Sequence, residues 1–238
     1  MDNITTLITG GSRGIGLAIA RAIAPISSKL LITAKHSEKL DRAKDLLGKS
    51  HSTKIVSLAV DHSQSVSAAT RTGQWARRNT SDIDLLVLNA GYYVEGALSE
   101  IKSTDFEENL RVNFTVNHYL VHELLPLVKE SRLRRIVIVG STAAYEPYPL
   151  VPTYGVAKWA LRGYAANLRR ELMADNVGVT FISPGGTLTD MWEGEHIAAN
   201  RLLDPADVAK LVVALTTLSP QAVVEELICR PMLGDIHE

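Results

Sequence analysis

Tyr154 and Lys158 stand four residues apart in PTYGVAKWALRGY, and Ser141 lies thirteen residues before the tyrosine in VIVGSTAAY. On a helix, positions i and i+4 share a face, so the phenol and the amine would point the same way. An ordinary tyrosine pKa, near ~10, is too high for an efficient base at neutral pH. A nearby ammonium is expected to lower it. The Ser141 hydroxyl could donate to a carbonyl oxygen and steady developing alkoxide charge. The chemistry this trio supports is proton transfer at a carbonyl or an alcohol, with Tyr154 as acid or base. Taken alone, a tyrosine and a lysine at this spacing also describe a packing residue beside a solvated amine.

Such a proton transfer needs a hydride partner, and the N-terminal TGGSRGIG (residues 9–16) suits one. Gly10, Gly14 and Gly16 follow an apolar run and open a helical pattern. Small residues there let backbone amides and a helix N-terminus approach a pyrophosphate. The spacing is G-x-x-x-G-x-G rather than G-x-G-x-x-G, and glycines before a helix also serve plain turn geometry. Lys158 could in addition hydrogen-bond the ribose of a nicotinamide cofactor. After the second strand an acid usually binds the ribose hydroxyls of NAD. Here that place reads Thr33-Ala34-Lys35-His36, with no carboxylate. Lys35 and Arg13 could both meet a 2′-phosphate, which favours NADP(H) over NAD(H); each also reads as a solvated surface charge. Asp61 could accept from an adenine amino group, or cap a turn or helix.

The elements that must position these residues are short apolar runs alternating with amphipathic stretches. Strands are expected at 4–8, 30–34, 55–60, 84–89, 135–140, 178–182 and 225–229. Helices are expected at roughly 15–24, 38–47, 63–79, 104–129, 153–174 and 205–218. Asp204-Pro205 reads as an N-cap with proline at the first helical position, and Gly48 as the end of a helix begun at Ser37. Strands apolar on both faces, alternating with helices, predict an α/β fold: one Rossmann-like, doubly wound domain over residues 1–238. Its sheet has seven mainly parallel strands with helices on both faces. Ligands in such folds sit beyond the C-terminal strand ends. Gly10–Gly16, Asp61, Asn89, Ser141 and Pro184-Gly185 all fall on that edge.

Composition bounds the rest. The 238 residues are 46% apolar and 21% charged, with a formal net charge of −1. That balance argues against a nucleic-acid or anionic-membrane surface. A single cysteine, Cys229, permits no internal disulfide. The N-terminal stretch has no basic n-region and no long apolar run, and a cytoplasmic protein without membrane span is expected. His118 and His122 share a helical face, but HYLVH lacks a zincin glutamate and an evident third ligand, so no metal is expected. The arginine pairs at 77–78, 134–135 and 169–170 are scattered and form no stripe.

In their order and spacing the landmarks resemble the short-chain dehydrogenase/reductase family, in its single-domain branch, over nearly the whole chain. They are TGGSRGIG (9–16), Asp61, NAG (89–91), Asn113 in LRVNFTVN, Ser141, Tyr154 with Lys158, and PGGTLTDM (184–191). The resemblance implies a catalytic set of Asn113, Ser141, Tyr154 and Lys158, with Asn113 supporting a water that relays protons from Lys158. It implies NADP(H) held by Gly10, Ser12, Arg13, Gly14, Ile15, Gly16, Lys35, Asp61, Asn89, Ala90, Gly91, Tyr154, Lys158, Pro184, Gly185, Thr187 and Thr189. Thr189 would contact the carboxamide, and Asn89 would steady the sheet beside the cofactor. Homodimers or homotetramers that pair helices 104–129 and 153–174 are implied too, with Trp159, Leu161 and Tyr164 either at that interface or in the core. The ending VVEELICRPMLGDI resembles bacterial sepiapterin-reductase-like members, and 3-oxoacyl-carrier-protein reductases are an equally natural comparison.

The substrate is expected to be a small carbonyl or alcohol. Tyr92-Tyr93-Val94, Ala143–Val151 and Gly186–His196 would wall an apolar or aromatic pocket with a few polar handles. The stretch from Pro184 to Asp204 is short for a lid, which implies an open cleft or help from a partner subunit. An alternative function is a dinucleotide-binding redox sensor or scaffold without useful turnover; the intact set of four residues counts against it.

Overall fold

The computed structural model describes residues 3–48, 53–192, 194 and 197–236. Seven strands form one parallel sheet: β1 (Ile4–Thr9), β2 (Ser27–Ala34), β3 (Lys54–Ala59), β4 (Leu85–Leu88), β5 (Arg135–Val139), β6 (Gly178–Pro184) and β7 (Glu226–Cys229). Their order is β3-β2-β1-β4-β5-β6-β7. The chain starts in the middle, winds to one edge, returns and winds to the other. The reversal lies between β1 and β4, where Thr6 to Ile8 face Leu85 to Val87. Such a switch point opens a crevice at the C-terminal strand ends.

Period-two alternation sends each strand's side chains to two cores. Leu7, Leu31, Leu86, Ile136 and Ile138 pack one face, beneath α3 (Ser65–Asn79), α5 (Val116–Glu130) and α6 (Pro152–Leu172). Ile8, Leu30, Ile32, Leu85, Val87 and Val137 pack the other, beneath α1 (Gly14–Ile23), α2 (Ser37–Gly48) and α7 (Pro205–Thr216). The central strands, buried on both faces, are therefore largely apolar, with exceptions such as the threonines of β1, while β3 and β7 at the sheet edges are only partly buried. The Asp204 carboxylate accepts from Ala206 N at 2.8 Å and starts α7, with Pro205 at its first position. No described helix is long and apolar enough to cross a membrane.

The expected helix 104–129 differs in one respect. It runs as α4 (Ser103–Leu110), a π-helical turn over Arg111–Thr115, and then α5. A π turn holds one residue more than an α turn and aims side chains away from the helical repeat. Asn109, Asn113 and Asn117 follow one another here at four-residue spacing, all buried. Asn113 Nδ2 donates to Asn109 O (3.1 Å), and Asn117 Nδ2 donates to Asn113 O (2.9 Å). These amides occupy carbonyls around the distortion. The start of helix 63–79 also differs: Asp61 caps a short 3-10 turn over His62–Gln64, and α3 begins at Ser65.

On α6, Leu161 is core and Tyr164 packs partly against it, whereas Trp159 is 50% exposed. Leu161 is thereby removed from the residues available to an interface. His118 lies edge-on to Tyr119 and Tyr164, with centroids 5.3 and 5.9 Å away.

Candidate active site

One cleft of about 760 Å³ runs along the C-terminal strand edge, within the usual size range for a ligand site. Its floor at the switch point is the glycine loop. Gly10 has φ +68°, a left-handed conformation that an L side chain resists. Gly16 lies beneath it, outside the cleft wall: a Cβ there would stand 2.2 Å from Gly10 O and 2.5 Å from Asn89 Nδ2. Asn89 Nδ2 donates to Thr9 O (3.0 Å) and Gly10 O (3.3 Å). Asn89 N and Ala90 N donate to Thr9 Oγ1 at 2.9 and 3.1 Å. The ends of β1 and β4 are thus sewn together just under the loop, as the expected steadying role of Asn89 requires.

Ser12, Arg13, Gly14 and Ile15 line the cleft above that floor. At its far end stand Lys35, His36, Lys39 and Asp61. Lys35 Nζ pairs with Asp61 Oδ2 at 2.9 Å. The Asp61 hydrogen bond raises the lysine pKa; at Asp61 burial pushes upward, but Lys35 and Ser63 outweigh it and hold the carboxyl low. Asp61 also accepts from Ser63 N at 3.0 Å, so its capping role is real. His36 and Lys39 extend the basic end. The sequence reading passed over both, although they follow Lys35 within one turn.

His62, next to Asp61, is buried, and burial pushes its pKa down to about 4. Because the folded value lies below the ordinary 6.5, the unfolded chain takes up this proton first as pH falls. Stability present above pH 6.5 should therefore drain away between 6.5 and 4, by about 3 kcal/mol in all. His62→Leu is expected to flatten that part of the slope in urea unfolding at pH 7 and pH 4.5. Equal slopes in the two proteins would refute the assignment.

In the middle of the cleft three of the four expected catalytic residues, Ser141, Tyr154 and Lys158, come together; Asn113 is buried behind Gly91 and does not line it. Ser141 follows β5, its Oγ accepting from Ala143 N at 3.2 Å. Tyr154 and Lys158 stand on the first turns of α6. Burial pushes the Tyr154 phenol up to about 12, while its hydrogen bond with Ser141 pulls the other way. Burial pushes Lys158 down to about 8. The lysine Nζ lies 5.1 Å from the Tyr154 ring centroid and donates to Val139 O at 3.2 Å. The expected lowering of the phenol does not appear here: burial dominates, and the opposing pull comes from Ser141 rather than the lysine. Asn113 Nδ2 donates to Tyr92 O at 2.7 Å, while its buried Oδ1 has no hydrogen-bond partner. A Cβ on Gly91 would stand 2.6 Å from that oxygen and 3.6 Å from Lys158 Nζ. Gly91 therefore keeps a side chain out of the place where the two polar groups converge.

The segment after β6 forms the roof. Pro184, Gly185, Thr187 and Thr189 line the cleft. Thr187 Oγ1 donates to Gly185 O at 2.9 Å, and Thr189 Oγ1 accepts from Met191 N at 3.3 Å. Arg13 Nη1 meets Asp190 Oδ2 at 3.3 Å, and Tyr93 Oη donates to Met191 O at 3.0 Å. The short roof is thereby tied to the glycine loop and to the turn after β4. Of the expected Gly186–His196 wall, Glu193, Glu195 and His196 lie outside the described residues. Sequence reasoning missed the last wall, Asp235 and Ile236, which end the stretch VVEELICRPMLGDI but were not assigned to the site.

A doubly wound parallel sheet with a glycine-floored cleft at its switch point defines a Rossmann-like protein. The chain belongs to the short-chain dehydrogenase family of oxidoreductases, whose family profile matches residues 5–199. It is 30% identical over 246 residues to the sepiapterin reductase of Chlorobaculum tepidum, covering 98% of each chain. Among solved structures, it is similar to a metagenomic short-chain oxidoreductase in complex with NADP (TM-score 0.84, 26% identity, covering 97% of this chain and 98% of that one). It is also similar to the alcohol dehydrogenase of Thermococcus sibiricus complexed with 5-hydroxy-NADP (TM-score 0.88, 25% identity, covering 97% of each).

Proposed function

We propose that the protein is an NADP(H)-dependent oxidoreductase that interconverts a carbonyl and an alcohol on a small apolar or aromatic substrate. The observation that carries this is the convergence of Tyr154, Ser141 and Lys158 in the middle of the cleft, between the basic end and the aromatic end. The residues present fit a dinucleotide: a glycine cradle, cations at the far end, and a buried polar pair at Asn113 and Lys158. Both solved neighbours named above hold an NADP-type cofactor, and one is an alcohol dehydrogenase. The cofactor would be held by Gly10 to Ile15, Lys35, Asp61, Asn89 to Gly91, and Pro184 to Thr189, and it supplies the hydride.

In the reductive direction the Ser141 hydroxyl orients the carbonyl oxygen, and Tyr154 gives it a proton. A phenol with its pKa near 12 is fully protonated at neutral pH, the state this direction requires. Lys158, charged below about pH 8, stabilises the phenolate left behind and draws a proton back past Gly91 and Asn113. Residues 1–238 act as one domain for cofactor and substrate, in a cytoplasmic protein. Trp159 and Val156, exposed side by side on α6, support pairing of α5 and α6 between copies as a homodimer or homotetramer.

The test is NADPH absorbance followed with a panel of ketones, quinones and aldehydes. Oxidation coupled to reduction of any of them supports the enzyme, and tight NADPH binding without turnover on all of them would favour a sensor. Cofactor choice has its own test. Lys35→Ala should weaken NADPH by about tenfold, the scale of one lost charge-assisted hydrogen bond. NADH affinity should stay within about twofold, because it lacks the 2′-phosphate. Equal losses for both would remove the basis for choosing NADP(H).

A further inference from the structure

Resting on the carbonyl–alcohol reading above, the charge pattern of the cleft narrows the substrate class. Four segments line its substrate end: residues 91–95 after β4, 139–154 between β5 and the catalytic lysine, 185–192 with 197 after β6, and 235–236 near the C-terminus. None of the 25 lysines and arginines of the chain falls within them. Acids do, and Glu95, Asp190 and Asp235 line the cleft itself. The cations of the described lining are Arg13, Lys35 and Lys39 on the cofactor side, and Lys158 beneath the catalytic tyrosine. Arg13 reaches this end only through Asp190, its ion-pair partner.

Asp235 forms a buried part of that wall. It is 2% exposed, and its carboxylate accepts from Tyr148 Oη at 2.6 Å and Gly186 N at 3.3 Å. Arg230 pairs with it and also with Glu146, so two acids share one cation. Tyr148 continues to Thr142 Oγ1 at 2.8 Å, beside Ser141. This net holds the turn after β5, the roof and the C-terminal segment together around the Arg230 ion pairs with Asp235 and Glu146. The remaining surface is apolar or aromatic, with Tyr93, Leu150, Val151, Trp192, Ile197 and Ile236.

An anionic substrate group placed there would leave water, find no lysine or arginine among the described residues of these four segments and face Glu95 and Asp190. A neutral isostere suffers none of this. We infer that the substrate is an apolar or aromatic carbonyl compound without carboxylate or phosphate, and that acyl groups tethered through a phosphate-bearing carrier are rejected. Discrimination arises from unpaired and repulsive charge, which separates ligands more sharply than shape does.

The test compares three aldehydes of similar size with NADPH at pH 8, where an ordinary histidine is neutral. They are 4-carboxybenzaldehyde, methyl 4-formylbenzoate and 4-(trimethylammonio)benzaldehyde. The carboxylate should show kcat/KM at least about tenfold below the ester, about 1.4 kcal/mol, and the cation should equal or exceed the ester. Glu95→Lys should narrow the gap between carboxylate and ester by about threefold or more. Carboxylate kcat/KM equal to that of the ester would overturn the inference. Calorimetric binding of the three corresponding alcohols to the NADP⁺-loaded protein separates this inference from the reading beneath it. The same charge ranking in binding, without turnover of any aldehyde, would reject the reductase and keep the charge selection. Turnover without the ranking would reject the charge selection alone.

Discussion

Tyr154→Phe is expected to lose about a thousandfold in the rate of carbonyl reduction, within the usual range for removing a positioned general acid. NADPH affinity should change by no more than about twofold. The substitution keeps the ring, and with it the stacking partner 5.1 Å from Lys158 Nζ. It deletes only the hydroxyl that Ser141 contacts. Stopped-flow reduction with saturating NADPH, paired with a fluorescence titration of the cofactor, separates the two quantities. A rate within tenfold of the parent would mean that another group delivers the proton. Burial raises the phenol pKa and so favours the protonated form that the reductive direction requires.

Gly16→Ala should be the most damaging single change at the cofactor end. A methyl group there meets Gly10 O at 2.2 Å and Asn89 Nδ2 at 2.5 Å. Neither atom can step aside easily, since one is loop backbone and the other is bonded to Thr9 O and Gly10 O. The loop must lift, and the amides that would face a pyrophosphate lose their aim. NADPH affinity is expected to drop at least about a hundredfold, the scale of two lost charge-assisted hydrogen bonds. The thermal midpoint should fall as well, because the β1–β4 seam opens. Parent-like affinity in this variant would show that the loop's backbone geometry is not what holds the cofactor.

Most of the architecture was legible because buried parallel strands need largely apolar runs, and β4, β5 and β6 announced themselves most plainly that way. Caps such as Asp204-Pro205 were legible because their chemistry is local. The site was legible in its motifs but not in its electrostatics. No local pattern tells that Lys35 finds Asp61, that Arg13 finds Asp190, or that burial rather than an ammonium governs the phenol. Those depend on which strand ends become neighbours. Asp235 was hidden for the same reason: 49 residues separate it from Gly186, whose amide it receives. The π turn escaped because apolar periodicity drifts by only one residue. Asn109, Asn113 and Asn117 were an available signal, since three amides in a row on a buried helical face need an explanation.

An expanded turn is a helix carrying one surplus residue, and the surplus here falls at Asn113, the residue proposed for the proton relay. Deleting one residue between Arg111 and Thr115 would let the screw run through evenly, with α4 and α5 still seated on the sheet. The shortened protein should fold and melt much like its parent while Asn113 swings away from the lysine. Evolution could therefore have acquired this relay by a single inserted codon in an already stable scaffold, and could retire it as simply.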